Sequence, residues 1–295
     1  MIVELASPAE ARAWCLGARA AGRTLGFVPT MGALHEGHLE LVARALREND
    51  VTCASVYVNP LQFNDRADFE RYPRDFAADA RRLEALGVAM VFTGTLAGFF
   101  PGDLRADGTL KPARLLAPGP SAEGLEGAHR PGHFAGMITI VERLFDCVQP
   151  TRAYFGQKDY QQTLVVRDLA RRQKRPEIVV CPTSRERSGL ARSSRNMLLS
   201  KSELDRAVCL SRGLKAAEKA WKKGLRDAQA LRAILQAEIA RPGVEIEYAE
   251  LRDPERWTAS APQGNMKRAI ALVAARVGGV RLIDNMYLSA PPRGS

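Results

Sequence analysis

Two histidines set the problem. His35 and His38 stand in the stretch P-T-M-G-A-L-H-E-G-H, residues 29–38. The apolar run Leu25 to Val28 before them reads as a short buried strand that Pro29 stops, and Gly32 and Gly37 permit tight turns. From His38 the pattern turns helical, with Leu39, Leu41, Val42, Ala45 and Leu46 on one face. Both imidazoles therefore fall at a helix start that follows a strand. A helix N-terminus has unpaired N–H groups and partial positive charge, which suit a phosphate. Two imidazoles there can donate to the same anion. A metal site is the other chemical option, but no third Cys or His ligand lies near the pair.

Two later segments have the same character. Gly156-Gln157-Lys158-Asp159 follows a short apolar strand and opens a helix; Lys158 can neutralise phosphate and Asp159 can accept from ribose hydroxyls. Ser193-Ser194-Arg195-Asn196 combines two hydroxyls, a guanidinium and an amide, and arginine grips phosphate bidentately. Singly, each reads equally well as a capped surface turn. Gln62 and Gln162, near strand ends, can fix a hydroxy acid without adding charge, although an exposed glutamine needs no such role. His129 and His133 flank Arg130-Pro131-Gly132 and read as a site wall or a surface loop. Asp79 lies on a helix after Tyr72-Pro73-Arg74, where most such residues are simply solvated.

The elements that must position these groups follow from the pattern. Pro8 to Ala21 is expected as a helix capped by Ser7, Val51 to Val58 as a buried strand ended by Asn59-Pro60, Asp75 to Leu86 as a helix and Val88 to Phe92 as a strand. Residues 101–131 read mainly as loop, His133 to Val148 as an apolar helix, Ala153 to Phe155 as a strand, Asp159 to Gln173 as a helix and Ile178 to Cys181 as a strand. Strand and helix alternating at this spacing predict βαβ units, hence a Rossmann-like parallel sheet with helices on both faces. Ligands bind at the carboxyl ends of such strands. From Ser202 the composition changes to helical Ala, Lys, Arg and Leu, then to strands over Glu245 to Leu251, Arg268 to Ala274 and Arg281 to Asn285. We therefore expect two domains: residues 1–182, the Rossmann-like part, and residues 183–295, a smaller C-terminal α+β part that closes over the active site.

Composition narrows the class. The 295 residues are 46% hydrophobic and 26% charged, as in ordinary globular proteins. The net charge of +10 suits anionic ligands. Basic residues are scattered among acidic ones, so nucleic acid is not an expected partner. The uncharged stretch over residues 86–102 contains Gly and Pro and is too short for a membrane helix. Five widely spaced cysteines form no C-x-x-C pair, and no signal peptide is expected, so a cytoplasmic protein with reduced thiols is the reading.

Taken together the segments resemble the pantoate–β-alanine ligase family of the nucleotidyltransferase superfamily. The matching pieces are residues 29–38, V-N-P-L-Q-F (58–63), Y-P-R (72–74), L-E-G-A-H-R-P-G-H-F (125–134), F-G-Q-K-D-Y-Q-Q (155–162), S-S-R-N (193–196) and R-L-I-D-N (281–285), in the family's order. The resemblance implies an ATP-dependent ligase that condenses pantoate with β-alanine through pantoyl adenylate, releasing pyrophosphate and AMP. It implies ATP as substrate, Mg2+, and a homodimer. It places Met31, Gly32, Ala33, Leu34, His35, Glu36, Gly37 and His38 along the nucleotide, with His35 and His38 on its phosphates and both catalytic, His38 being the customary assignment. Gly156, Gln157, Lys158 and Asp159 join them, as do Ser184, Arg192, Ser193, Ser194 and Arg195; Lys158 and Arg195 count among the catalytic cations. Gln62 and Gln162 would bind pantoate, Gln62 also β-alanine, and Asp79 is the one candidate metal ligand. Two departures stand out. Ser188 takes the place of a usual acidic residue, and Arg192 that of a residue that is often apolar. Rivals are an adenylyltransferase for another acid and a nucleotide-binding regulatory protein.

Overall fold

Short β-branched runs bounded by Gly, Pro and Asn become strands, and the 3.6-periodic segments between them become helices. In the computed structural model, which describes residues 1–291, these elements divide between two compact units. The first comprises residues 1–122, 130–156 and 161–181; the second comprises residues 123–129, 157–160 and the chain from Pro182 onward.

The first unit is built on a parallel sheet of six strands: β1 (Val3–Leu5), β2 (Leu25–Thr30), β3 (Val51–Val56), β4 (Met90–Phe92), β5 (Arg152–Gly156) and β6 (Glu177–Cys181), in the order β1-β4-β3-β2-β5-β6. Alternation along the strands sends residues to two cores. Leu25, Phe27, Cys53, Met90, Phe92, Ala153 and Phe155 pack with the helices Pro8–Ala20 and His133–Val148. Val28, Ala54, Val91 and Tyr154 pack on the other face with Leu41, Val42 and Ala45 of the helix Glu36–Glu48 and with Ala80 and Leu83 of the helix Phe76–Leu86. A sheet covered on both faces needs apolar residues at successive positions, which is why its central strands carry so few charges.

The second unit has an antiparallel sheet of three strands, β7 (Val244–Arg252), β8 (Ile270–Val277) and β9 (Val280–Tyr287), with the helices Lys201–Lys222 and Ala228–Ile239. Leu210, Leu214, Leu231 and Leu235 from the helices and Val273 and Ala275 from β8 share its core. Glu126 ties residues 123–129 to this unit. It accepts from Tyr248 Oη at 2.7 Å and from both Arg281 terminal nitrogens at 2.6 and 2.8 Å.

The expected α/β architecture is therefore present, with four differences of detail. Pro29 does not end its strand: β2 continues to Thr30 beside β3. Pairing with β5 involves only Gly26 and Phe27, so the missing N–H of Pro29 falls where the ladder on that side has ended. Edge strand β1 is short, exposed and carries Glu4, and nothing in its pattern announced it. The Pro60–Gln62 stretch is a 3₁₀ turn rather than open loop, and Arg66–Arg71 is a helix that no periodicity suggested.

Candidate active site

The strand order reverses between β2 and β5, and the chain leaving β2 enters the histidine stretch. Such a switch point opens a crevice at the carboxyl ends of the strands. Thr30 Oγ1 donates to Ser55 O at 2.7 Å and accepts from Gly32 N at 3.1 Å, which starts a tight turn. Gly32 and Ala33 both have positive φ, +82° and +49°. A side chain on Gly32 would strike Asp79 Oδ2 at 2.8 Å, so this position excludes any larger residue. Ala33 is held in its unfavourable conformation by Asp79, which accepts from Ala33 N and Leu34 N at 2.9 Å each. Three residues along the same helix face, Arg82 donates to Leu34 O and pairs with Glu36 at 3.2 Å. Burial pushes the Asp79 carboxyl up, against the pull of the two amides and of Arg82.

The turn delivers His35 to the N-cap and His38 to the first turn of the helix Glu36–Glu48. The helix thus begins at Glu36, earlier than its apolar periodicity shows. The two rings cap it reciprocally: His35 Nδ1 accepts from Gly37 N at 3.2 Å, and His38 Nδ1 accepts from His35 N at 3.3 Å. Their centroids are 4.1 Å apart. Both Nδ1 atoms accept, which in a neutral ring leaves the hydrogen on Nε2, the opposite side of the imidazole.

A second cluster in the same unit surrounds Gln62. Asn59 Nδ2 donates to Gln62 Oε1 at 3.0 Å and to Gly136 O at 3.1 Å, and Gln62 Nε2 points at Met31 Sδ at 3.0 Å. His133 Nδ1 donates to Gln62 O at 2.8 Å and its Nε2 receives Arg130 at 3.1 Å. The helix His133–Val148 presses so closely here that a Cβ on Gly136 would sit 1.9 Å from Leu61 O. Asn59 and Gly136 are residues that sequence reasoning missed. The first read only as a strand stop, and the glycine interrupting an apolar helix was the available signal for the second. Gln162 is half-buried on the helix Tyr160–Gln173; its neighbour Gln161 is buried and donates to Ser121 O at 3.1 Å. Gly156 closes β5.

The remaining expected residues lie in the second unit. Gln157, Lys158 and Asp159 form a 3₁₀ turn, with Lys158 Nζ 3.6 Å from Asp159. Residues 184–192 form a hairpin loop joined by a bridge between Arg185 and Ala191 and by Arg192 N donating to Ser184 O at 2.9 Å. Ser188 Oγ accepts from Leu190 N at the tip, as an acidic side chain there can, so this departure preserves the turn. Arg192 pairs with Glu186 at 3.3 Å. Ser193 caps a 3₁₀ turn over Ser194–Leu198 by accepting from Arg195 N, and Asn196 donates to Ala191 O at 3.0 Å. His129, bracketed with His133 in the sequence, falls in this unit instead, 3.8 Å from Glu247 and with its ring 5.6 Å from that of Tyr248.

No group of three or more His, Cys, Asp or Glu that could hold a metal occurs among the described residues. Asp79 faces backbone amides with both oxygens. The side chains present do not fit a protein cage for a divalent ion.

A parallel sheet with two histidines capping a helix start beside its switch point is an arrangement found among nucleotide-binding α/β folds. Comparison with known proteins narrows this. The family model for pantoate-beta-alanine ligase matches residues 4–287. A protein named pantothenate synthetase 1 from Bradyrhizobium diazoefficiens is 43% identical over 286 residues, 96% of this chain and 97% of that one. The crystal structure of pantothenate synthetase from Thermus thermophilus matches with a TM-score of 0.87 at 40% identity, covering 98% of this chain and all of that one. A pantoate-beta-alanine ligase from Francisella tularensis, complexed with beta-gamma ATP and beta-alanine, matches with a TM-score of 0.76 at 30% identity over 99% of this chain. The chain belongs to the pantoate–β-alanine ligase family, and it is a ligase.

Proposed function

We propose that this protein joins pantoate to β-alanine at the expense of ATP. A pantoate carboxylate oxygen attacks the α-phosphorus, and the bond to pyrophosphate breaks. The β-alanine amine then attacks the acyl carbon; the carbon–oxygen bond to AMP breaks, and the nitrogen sheds a proton. The attacking group belongs to the substrate, so the protein's task is to stabilise charge and exclude water. The reciprocal capping of His35 and His38 is the observation that carries this reading: it fixes the orientation of two imidazoles at a helix start, and a related pantoate-beta-alanine ligase was solved with beta-gamma ATP.

The other roles follow as parts of the proposal. Residues Met31 to His38 and Gly156 line the nucleotide, with His38 on the reacting phosphate. Gln62, braced by Asn59, and Gln162 hold pantoate, and Gln62 also meets β-alanine. In the second unit Lys158, Ser184, Arg192, Ser193, Ser194 and Arg195 supply phosphate donors, with Gln157 and Asp159 toward the nucleoside. Mg2+ would arrive on the nucleotide's phosphates with its water, as this hard ion commonly does. Asp79 serves the turn. A homodimer and a cytoplasmic location complete the proposal. The free state of all five cysteines suits a reducing compartment, and no described helix is long and apolar enough to cross a membrane.

The test is product analysis in two stages. ATP and pantoate alone should give pyrophosphate and a bound acyl adenylate; adding β-alanine should release AMP and pantothenate. Pyrophosphate release with other acids but not pantoate would point to an adenylyltransferase of different specificity. No turnover with any acid would leave a nucleotide-binding protein.

A further inference from the structure

The R-L-I-D-N segment on β9 has no part in the mechanism above, yet its last two residues reach both cation-bearing segments of the second unit. Asn285, 2% exposed, makes three side-chain hydrogen bonds to the turn that carries Lys158. Its Nδ2 donates to Gln157 O and to Lys158 O at 2.9 Å each, and its Oδ1 accepts from Gln157 Nε2 at 3.1 Å. Asp284, 3% exposed, receives both Arg185 terminal nitrogens at 2.6 and 2.9 Å. Arg185 also donates to Gly189 O at 3.0 Å and Asn285 O at 3.2 Å, spanning the base of the hairpin that precedes Ser193. Asn285 N donates to Asp284 Oδ1 at 2.7 Å, which locks the pair together.

We propose that Asn285 is a positioning residue for Lys158, and that with Asp284 it sets the phosphate-facing segments of the second unit in register on β9. The inference rests on the role given to Lys158 above. Two carbonyls of one 3₁₀ turn bound by one amide nitrogen fix the path of the backbone from which the lysine projects. An amide suits the task where a carboxylate does not, because it must donate to both carbonyls while accepting from Gln157. A small displacement of a positioned cation costs up to about a hundredfold in rate.

A double-mutant cycle tests this, using pyrophosphate release from ATP and pantoate by the full chain. Asn285→Ala should slow adenylation by roughly ten- to a hundredfold and raise the KM for ATP, with the KM for pantoate within about twofold. Lys158→Ala should slow it at least as much. The double variant should lie within about threefold of Lys158→Ala, because once the lysine is gone its support has nothing left to aim. Asn285→Ser leaves a single hydroxyl donor where two carbonyls are bound, and its smaller loss should vanish likewise in the Lys158→Ala background. It keeps the test usable if Asn285→Ala fails to fold. Additive losses, or a pantoate KM that rises as much as that for ATP, would mark Asn285 as general scaffolding and overturn the inference alone. Full activity of Lys158→Ala would overturn both the inference and the role assigned to the lysine.

Discussion

Replacing Asp79 with asparagine separates a strut for the histidine turn from a metal ligand. The carboxylate is 4% exposed and holds Ala33 N and Leu34 N at 2.9 Å each. Alanine would orphan the buried Leu34 amide and the partly buried Ala33 amide at about 1–3 kcal/mol each and leave Ala33 unsupported at φ +49°. The two amides alone come to roughly 2–6 kcal/mol, too near the whole stability of a typical domain to be informative. Asparagine keeps the shape. Its Oδ1 retains one amide while its Nδ2 faces the other, so one charge-assisted bond is lost, at about 1.5–3 kcal/mol. Removing the charge offsets part of this, because burial already disfavours the ionised carboxyl. The expected cost for Asp79→Asn is about 1–3 kcal/mol in urea unfolding. Adenylation should fall about tenfold or more as the rings lose their alignment. If stability stays within about 0.5 kcal/mol while the Mg2+ dependence of pyrophosphate release shifts strongly, Asp79 holds metal and the strut argument is wrong.

Three other outcomes are expected. His38→Asn keeps an acceptor for His35 N but drops the Nε2 donor, so unfolding should move by under about 0.5 kcal/mol. Adenylation should fall on the order of a hundred- to a thousandfold, and single-turnover pyrophosphate release beside urea unfolding checks both halves of the statement. Gly136→Ala places a methyl 1.9 Å from Leu61 O, which should cost at least about 1–3 kcal/mol; isothermal titration should show pantoate binding weakened more than ATP binding, as Gln62 shifts. Tyr154 bonds to Glu48 and Asn49, and burial pushes its phenol from 10 up to about 12. Its contribution to stability is therefore whole below pH 10 and is lost as pH rises towards 12, a fall of roughly 2–3 kcal/mol. Tyr154→Phe should lack that component in alkaline unfolding curves.

The parts legible from sequence were those where one local force dominates. Val51–Val56 is β-branched and uncharged, and His133–Val148 repeats its apolar residues at helical spacing, so both elements stand out. His35 and His38 were visible as a pair because a strand, a turn and a helix meet there. Their capping role was not, since it depends on φ and ψ at His35. The contacts made by Asn59, Gly136 and Asn285 were hidden for another reason. Each acts on a backbone distant in sequence (Gly136, Leu61 and Lys158 respectively), and a single chain carries no trace of which carbonyl a buried amide will find.

The reciprocal cap also makes the histidine pair a gauge of its own integrity. The amide hydrogens of His35 and Gly37 are sealed by the imidazoles themselves, so exchange with deuterium can occur only when the helix start frays and the rings let go. Their exchange rates therefore count the fraction of molecules with the donors out of place. A nucleotide that engages both rings must slow those two amides more than others in the same helix. Because the rings are already ordered in the folded chain, most of the entropic cost of arranging them is met during folding, before any ligand arrives.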